Sequence, residues 1–284
     1  MSVLRLPAPA KINLFLHITG RRADGYHLLE SVFVPISLAD TVELTLREDG
    51  EIRLLDAPLG LTADNDLACR AARLLQTETG TKLGADIRLT KRIPQGAGLG
   101  GGSSDAATAL TGLNRLWKTN LKSERMLALG LCIGADVPFF IFGQAAWVRG
   151  IGESLEAVTL PAQHIVLAHP GVPVATAAVF AHEALKRDSK SVNPPVFSLD
   201  FGQNDMQTAA SLIQPKIATL CDAFAARGLA PRMSGSGSSV FAVARSIGAA
   251  REHARALASN HVSAWSVQTL QFHPLQNKFG AAII

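Results

Sequence analysis

The segment Pro94-Gln-Gly-Ala-Gly-Leu-Gly-Gly-Gly-Ser-Ser-Asp105 places five glycines in seven positions, 96 to 102. Glycine has no Cβ, so backbone N–H groups in such a loop can converge on an anion. A helical pattern follows at once: Ala106, Ala109, Leu110, Leu113 and Trp117 recur at i, i+3, i+4, i+7 and i+11. The start of a helix adds unpaired N–H donors and partial positive charge. Loop and helix start together suit a polyphosphate. Ser103 and Ser104 could cap that helix or donate to phosphate oxygens. A flexible connection is the alternative, and the amphipathic helix directly behind the loop argues against it. The loop holds a Gly96-x-Gly98-x-x-Gly101 spacing, yet it follows a meander instead of opening a βαβ unit, which disfavours a dinucleotide fold. No Gly-Lys-Ser/Thr closes the loop, and the His-Arg-Asp and Asp-Phe-Gly signatures of protein kinases are absent.

Phosphoryl transfer also needs a positioned hydroxyl, charge neutralisation and often a base. Asp136 is the base candidate. It is the only acid in the apolar run 126–148, on a turn marked by Gly134 and Pro138. A carboxylate buried there needs a cation beside it. A buried ion pair without chemistry is the other reading of such an acid. Lys11 and Asn13 are two residues apart on one apparent strand and therefore share a face. Arg232-Met-Ser-Gly-Ser-Gly-Ser-Ser239 is a second small-residue turn that leads into a strand.

The elements that must position these residues are legible in outline. Ile12, Leu14, Leu16 and Ile18 alternate as in a strand, and Gly20–Gly25 reads as a turn. Val32–Leu38, Val42–Leu46 and Ile52–Leu54 alternate again, so the first third is a meander of strands. Leu67, Ala71, Leu74 and Leu75 mark a helix with Asn65 or Asp66 near its cap. Ala85–Leu89 is a strand ending at Lys91-Arg92. Residues 126–148 read as helix, loop and buried strand; the run is long enough to span a bilayer, but Asp136 within it argues against that. The second half gives strands at Ile165–Ala168, Ser239–Ala244 and Ser263–Leu270. It gives helices at Ala177–Lys186, Ala209–Ala226 and Ala249–Ser259, with a loop at Val192–Pro195. Strands mixed with helices in both halves indicate an α+β protein, divided near residues 150–165.

The 284 residues carry a formal net charge of +4, 48% hydrophobic and 18% charged residues. That is a globular composition, not a disordered one. The basic pairs Arg21-Arg22 and Lys91-Arg92 are short, with no stripe expected of a nucleic-acid binder. Cys69, Cys132 and Cys221 are odd in number, widely spaced and set among apolar neighbours, so each reads as a buried thiol. No secretory signal is convincing, and a cytoplasmic location is expected.

Three segments, in this order, resemble the three motifs of the GHMP kinase superfamily: Lys11-Ile-Asn-Leu-Phe-Leu, Gly96–Ala107 and the turn from Arg232 to Ser239. Gly20-Arg-Arg-Ala-Asp-Gly-Tyr-His27, Ser103-Ser-Asp-Ala-Ala107 and Gly134-Ala-Asp-Val-Pro-Phe-Phe140 are similar to the isoprenoid-precursor branch of that superfamily. In that branch the acceptor alcohol carries a cytidine diphosphate. The resemblance covers residues 7 to about 244. It implies an N-terminal ATP-binding domain over 1–155, like the second domain of ribosomal protein S5, and a ferredoxin-like C-terminal domain over 156–284. It implies ATP with Mg2+ as the phosphoryl donor, held by Pro94, Gln95, Gly96, Ala97, Gly98, Leu99, Gly100, Gly101, Gly102, Ser103 and Ser104. It implies Lys11 as the partner of Asp136.

Substrate contacts are implied for Asn13, Tyr26, His27, Thr176 and Phe180. Tyr26, the only tyrosine, would stack on cytosine, with His27 bonding the base and Phe180 on the opposite face. A helix-face core phenylalanine is the other reading of Phe180. Two departures stand out. Asn65-Asp-Leu-Ala holds one residue more than the family's pattern, which puts an adenine contact by Asn65 in doubt. Val34-Pro35 stands where glutamine is common, which would reshape the edge of the substrate pocket. The expectation is a small-molecule kinase with no resident metal, no nucleic acid and no membrane, as a monomer or weak homodimer. Kinases for homoserine, mevalonate or a sugar, and a nucleotide-binding regulator, are the alternatives.

Overall fold

The computed structural model describes residues 2–57, 61–192 and 201–279. Its first two strands are long: β1 (Val3–Arg21) and β2 (His27–Arg47) pair antiparallel along their length. Register shifts at Pro9/Lys11, Asn13/Leu16 and Ile18/Gly20 break the ladder. Such bulges re-aim side chains locally, and Lys11 and Asn13 lie beside two of them. The runs 32–38 and 42–46, read separately in the sequence, are one strand. The turn between β1 and β2 lies at its expected place, after Arg21.

Strand β3 (Ile52–Leu55) is followed by α1 (Leu67–Thr79), whose cap is Asp66: its carboxylate accepts from the Cys69 N–H at 2.9 Å. Strand β4 (Gly84–Thr90) pairs parallel with β3 and antiparallel with β2. Helix α2 (Gly101–Leu116) is buried on every side from Ser104 to Leu113. Its cap is Gly100, so Ser103 and Ser104 lie inside the first turn and do not cap the helix. Between Ser123 and Arg149 come α3 (Ser123–Ile133), a short α4 (Val137–Phe142) and β5 (Ala146–Arg149). The extra helix α4 starts with a proline in its first turn, where the missing N–H costs nothing. Strand β6 (Ser154–Ala157) closes a six-stranded sheet, in the order β3-β4-β2-β5-β6 with β1 on β2. That sheet ends just past the expected division at 155.

The second sheet contains β7 (His164–His169), and α5 (Thr176–Ala181), α6 (Gln207–Ile213) and α7 (Lys216–Ala225) follow it in the chain. Then come β8 (Arg232–Met233), β9 (Val240–Ala244), α8 (Ile247–Leu257), β10 (Ser263–Gln268) and α9 (Pro274–Phe279). The sheet is antiparallel, in the order β10-β7-β9-β8. One apolar cluster joins the two sheets: Ile12, Val34 and Ile36 from the first meet Ile165, Leu167, Phe241 and Val267 from the second.

Four expectations need correction. Ala209–Ala226 is two helices, because the backbone of Gln214 leaves the helical region before Pro215, as residues preceding proline do. The helix expected over Ala177–Lys186 ends at Ala181. The Arg187 guanidinium donates to the carbonyls of Phe180, His182 and Leu185, which a longer helix would have bonded itself. Of the three thiols only Cys69 is buried; Cys132 is exposed on the outer side of α3 and Cys221 is half-buried. Apolar neighbours in sequence do not fix which face of a helix a residue takes. Val34 and Pro35 lie in β2, with Val34 in the inter-sheet core. Residues 193–195 of the expected loop fall outside the described residues.

Candidate active site

A cavity of about 600 Å³ is lined by the glycine loop, the first turn of α2, the bulged part of β1, and residues from α5 and the 234–239 turn. The loop fits against that turn too closely for side chains. Gly98 has φ +73°, and a Cβ there would stand 2.0 Å from the Ser234 carbonyl oxygen. Gly100 has φ +70°, and its Cβ would stand 2.9 Å from the Phe140 ring. Both positions require glycine on conformation and on space. The turn is fastened to the loop: Ser239 N–H donates to Ala97 O at 3.1 Å, and Ser234 Oγ to Gly98 O at 3.0 Å. Asn204 supports it from behind, donating to the Met233 and Gly235 carbonyls at 2.8 Å.

Lys11 is buried at the floor of the cavity. Its Nζ donates to Asn13 Oδ1 at 2.6 Å, stands 3.7 Å from Asp136 Oδ2 and lies over the Phe33 ring at 4.6 Å. Its N–H donates to Leu99 O at 3.0 Å, so the strand and the glycine loop are held in register. Burial pulls the Lys11 ammonium below the usual lysine range, and the charge of Asp136 works against that shift. Asn13 Nδ2 donates to Ser31 Oγ at 3.0 Å, which fixes the amide so that its oxygen faces Lys11. Asp136 sits directly before α4, with its side chain 34% exposed toward the cavity. A partly open carboxylate next to a buried ammonium is placed to take a proton from an incoming hydroxyl.

At the other end, Asn65, Asp66, Leu61, Leu67, Leu89 and Ile93 line the same cavity. Lys91 reaches both Asp40 and Asp105 beneath the loop. Asp40 also accepts from the N–H groups of Arg92 and Ile93, the latter at 2.8 Å. The chain entering the glycine loop is thereby tied to β2. Burial pushes the Asp105 carboxyl up to about 7, against the pull of Lys91 and with the added repulsion of Asp40.

The structure brings together most of the expected site residues. Lys11, Asn13, Pro94 through Ser103, Asp136, Thr176 and Phe180 all line the cavity. Ser104 does not; it is turned into α2's inner face, with its Oγ buried and unpartnered. Tyr26 is 61% exposed at the β1–β2 turn and His27 stacks on Phe180, with ring centroids 4.8 Å apart and planes 16° from parallel. Neither Tyr26 nor His27 lines the cavity, and neither do Val34 and Pro35. Thr176 Oγ1 lies 2.7 Å from Ser236 Oγ, across the mouth between α5 and the turn. Asp40 and Asn204 have no mark in the sequence, since neither belongs to a motif; Lys91 stands out there only as half of a basic pair and Ser236 only as part of the small-residue turn. Among the described residues, no group of three or more His, Cys, Asp or Glu side chains is placed to hold a metal ion, and no helix is long and apolar enough to cross a membrane.

The family described as GHMP kinases N terminal domain matches residues 66–144, and GHMP kinases C terminal matches residues 180–263. The chain is 46% identical over 275 residues to 4-diphosphocytidyl-2-C-methyl-D-erythritol kinase of Aromatoleum aromaticum, covering 96% of each chain. It is 48% identical to the enzyme of the same name from Nitrosomonas eutropha, covering 95% of this chain and 98% of that one. Among solved structures, a 4-(cytidine 5'-diphospho)-2C-methyl-D-erythritol kinase superposes with a TM-score of 0.79 at 35% identity, covering 94% of this chain and 99% of the other. A homoserine kinase from Cytophaga hutchinsonii, 18% identical, shares the fold with a TM-score of 0.70 over 96% of each chain.

Proposed function

The chain belongs to the 4-diphosphocytidyl-2-C-methyl-D-erythritol kinases of the GHMP kinase family, and from that premise we propose how it works. It is a small-molecule kinase that phosphorylates the 2-hydroxyl of 4-diphosphocytidyl-2-C-methyl-D-erythritol, a step toward isoprenoid precursors. The observation that carries the mechanism is the Lys11–Asp136 pair beside a glycine loop with no room for side chains.

ATP is the phosphoryl donor. Its phosphates lie along Gly96–Ser103, where glycine backbone and the first turn of α2 offer N–H donors and partial positive charge. Its base lies toward Asn65 and the apolar residues Leu67, Leu89 and Ile93. Mg2+ carried with the nucleotide would offset the charge on its phosphate oxygens. Ser103 and Asp136 offer oxygen donors in the same cavity, the type a hard cation takes.

Asp136 accepts the proton of the acceptor hydroxyl, and Lys11 holds the carboxylate beside it and meets charge that develops on the transferring group. Asn13 holds the Lys11 ammonium in place. The cytosine ring is held between Tyr26 and Phe180, with His27 bonding its edge and Thr176 as a polar contact. The division into an ATP-binding unit over 1–155 and a second unit over 156–284, a cytoplasmic location and a monomer or weak homodimer belong to the same proposal.

The test is ADP release by the purified chain with Mg-ATP and a panel of 4-diphosphocytidyl-2-C-methyl-D-erythritol, homoserine, mevalonate and galactose. Turnover confined to the cytidyl alcohol supports the reading. Faster turnover of another acceptor keeps the ATP site and overturns the pocket assignment.

A further inference from the structure

Arg187 is half-buried just beyond α5 and spends its guanidinium on two elements at once. Its Nη2 donates to Phe180 O at 2.9 Å and His182 O at 3.0 Å, and its Nη1 to Leu185 O at 3.1 Å. These carbonyls lie at and just after the open end of α5, where a cationic fork satisfies both hydrogen bonds and dipole. Its Nε donates to His27 Nε2 at 3.3 Å, at the start of β2. The imidazole in turn lies flat against Phe180. One side chain therefore ties the aromatic ring on α5 to the aromatic ring on β2.

The direction of the Arg187–His27 bond carries chemical information. A guanidinium is always protonated and only donates. His27 Nε2 must therefore present its lone pair, which puts the imidazole proton on Nδ1. Burial and the nearby charges of Arg187 and Arg21 lower the basicity of His27, which favours the neutral ring that the bond from Arg187 requires. A neutral ring with a fixed Nδ1–H is a donor only at its free edge. Cytosine offers an acceptor at N3, where uracil carries N3–H. A site built around one hydrogen bond rejects the analogue that cannot make it far more strongly than it rejects a change of size.

We propose that Arg187 is a positioning residue that sets the base specificity of this kinase: it locks His27 in the Nδ1–H tautomer and holds it against Phe180, so that the pair accepts cytosine and refuses uracil. The inference rests on the cytidyl-substrate reading above and adds to it the residue that enforces it.

The first test needs no substrate. Long-range 15N–1H spectra of the free full-length chain, with His27 identified through His27→Asn, report the tautomer. The expected result is Nδ1–H in the wild type and a shift toward Nε2–H in Arg187→Gln. Nε2–H in the wild type overturns the proposal. The second test compares the cytidyl alcohol with its uridyl counterpart. Arg187→Gln is expected to raise KM for the cytidyl substrate at least tenfold with kcat changed less than threefold, and to narrow the cytidyl-over-uridyl preference by a similar factor. Arg187→Lys, which can still donate to one ring nitrogen, should recover part of the preference. Unchanged KM and preference in both folded variants overturn it. If the wild type turns over neither nucleotide alcohol, the substrate reading fails, and the tautomer spectra still decide what Arg187 does to His27.

Discussion

Nζ of Lys11, buried on β1, stands 3.7 Å from Oδ2 of Asp136 at the start of α4. The two residues are brought together by a bulged strand and a short helix that sequence separates by most of a domain. The ammonium is buried and the carboxylate is partly open, so the pair is asymmetric in solvent. Burial lowers the Lys11 pKa and Asp136 opposes that effect. Loss of the Asp136 charge in Asp136→Asn must therefore lower it further. ATP affinity falls as pH rises through the Lys11 pKa, because the cation is lost; in Asp136→Asn that fall should begin at lower pH. Titration calorimetry with ATP across an alkaline pH series measures the shift, and a profile identical to wild type would show that the pair is not electrostatically coupled.

Gly98→Ala tests the fit of loop and turn. The new Cβ meets the Ser234 carbonyl and the residue keeps a positive φ. The expected cost is about 1–3 kcal/mol, with KM for ATP raised tenfold or more and KM for the acceptor alcohol little changed. Thermal unfolding and two-substrate kinetics read these separately.

Tyr26→Ala should act on substrate binding. Stacking of a base on an aromatic ring contributes roughly 1–3 kcal/mol. A contact made equally in ground and transition states appears in KM alone, so KM for the cytidyl alcohol should rise about tenfold with kcat retained. A defect confined to kcat would remove Tyr26 from the base site. Its ring is exposed and so able to pack on a base.

His273 gives a pH prediction away from the chemistry. It is buried, its Nδ1 accepts from Leu275 N–H at 3.1 Å and its Nε2 has no partner among the described residues. Burial lowers its pKa from 6.5 to about 4. Between those values the unfolded chain binds the proton and the folded chain does not. Stability must therefore fall as pH drops through that window, by up to about 3 kcal/mol, and level off below it. Urea midpoints at pH 7.5 and pH 5 should differ less in His273→Gln than in the wild type. An equal difference in both would assign the acid sensitivity elsewhere.

What could be read in advance depended on whether the signal was periodic or clustered. The glycine loop, the amphipathic face of α2 and the alternation of β1 were all visible, and they are the parts that shape the phosphate end of the cavity. Lys11, Asn13 and Asp136 were visible because each stood out chemically in an apolar run. The split of α6 from α7 could have been found from Pro215. The early end of α5 could not, because it is set by Arg187, whose bonds to the helix end depend on a fold back of the chain. Asp40 and Asn204 act by tying loops to strands over long sequence distances, so nothing local marks them, and the basic pair at Lys91 does not show which carboxylates it reaches. Cys132 is exposed although its sequence neighbours are apolar, because neighbours along a helix do not share its face.

The most direct test of the mechanism is kcat for the cytidyl alcohol with saturating Mg-ATP in Asp136→Asn, with folding checked by circular dichroism. Loss of the base should lower kcat by about 10²–10⁴-fold, with ATP still bound near neutral pH. Turnover within a few-fold of the wild type would show that Asp136 does not take the proton, and would leave the Lys11–Asp136 pair a structural ion pair.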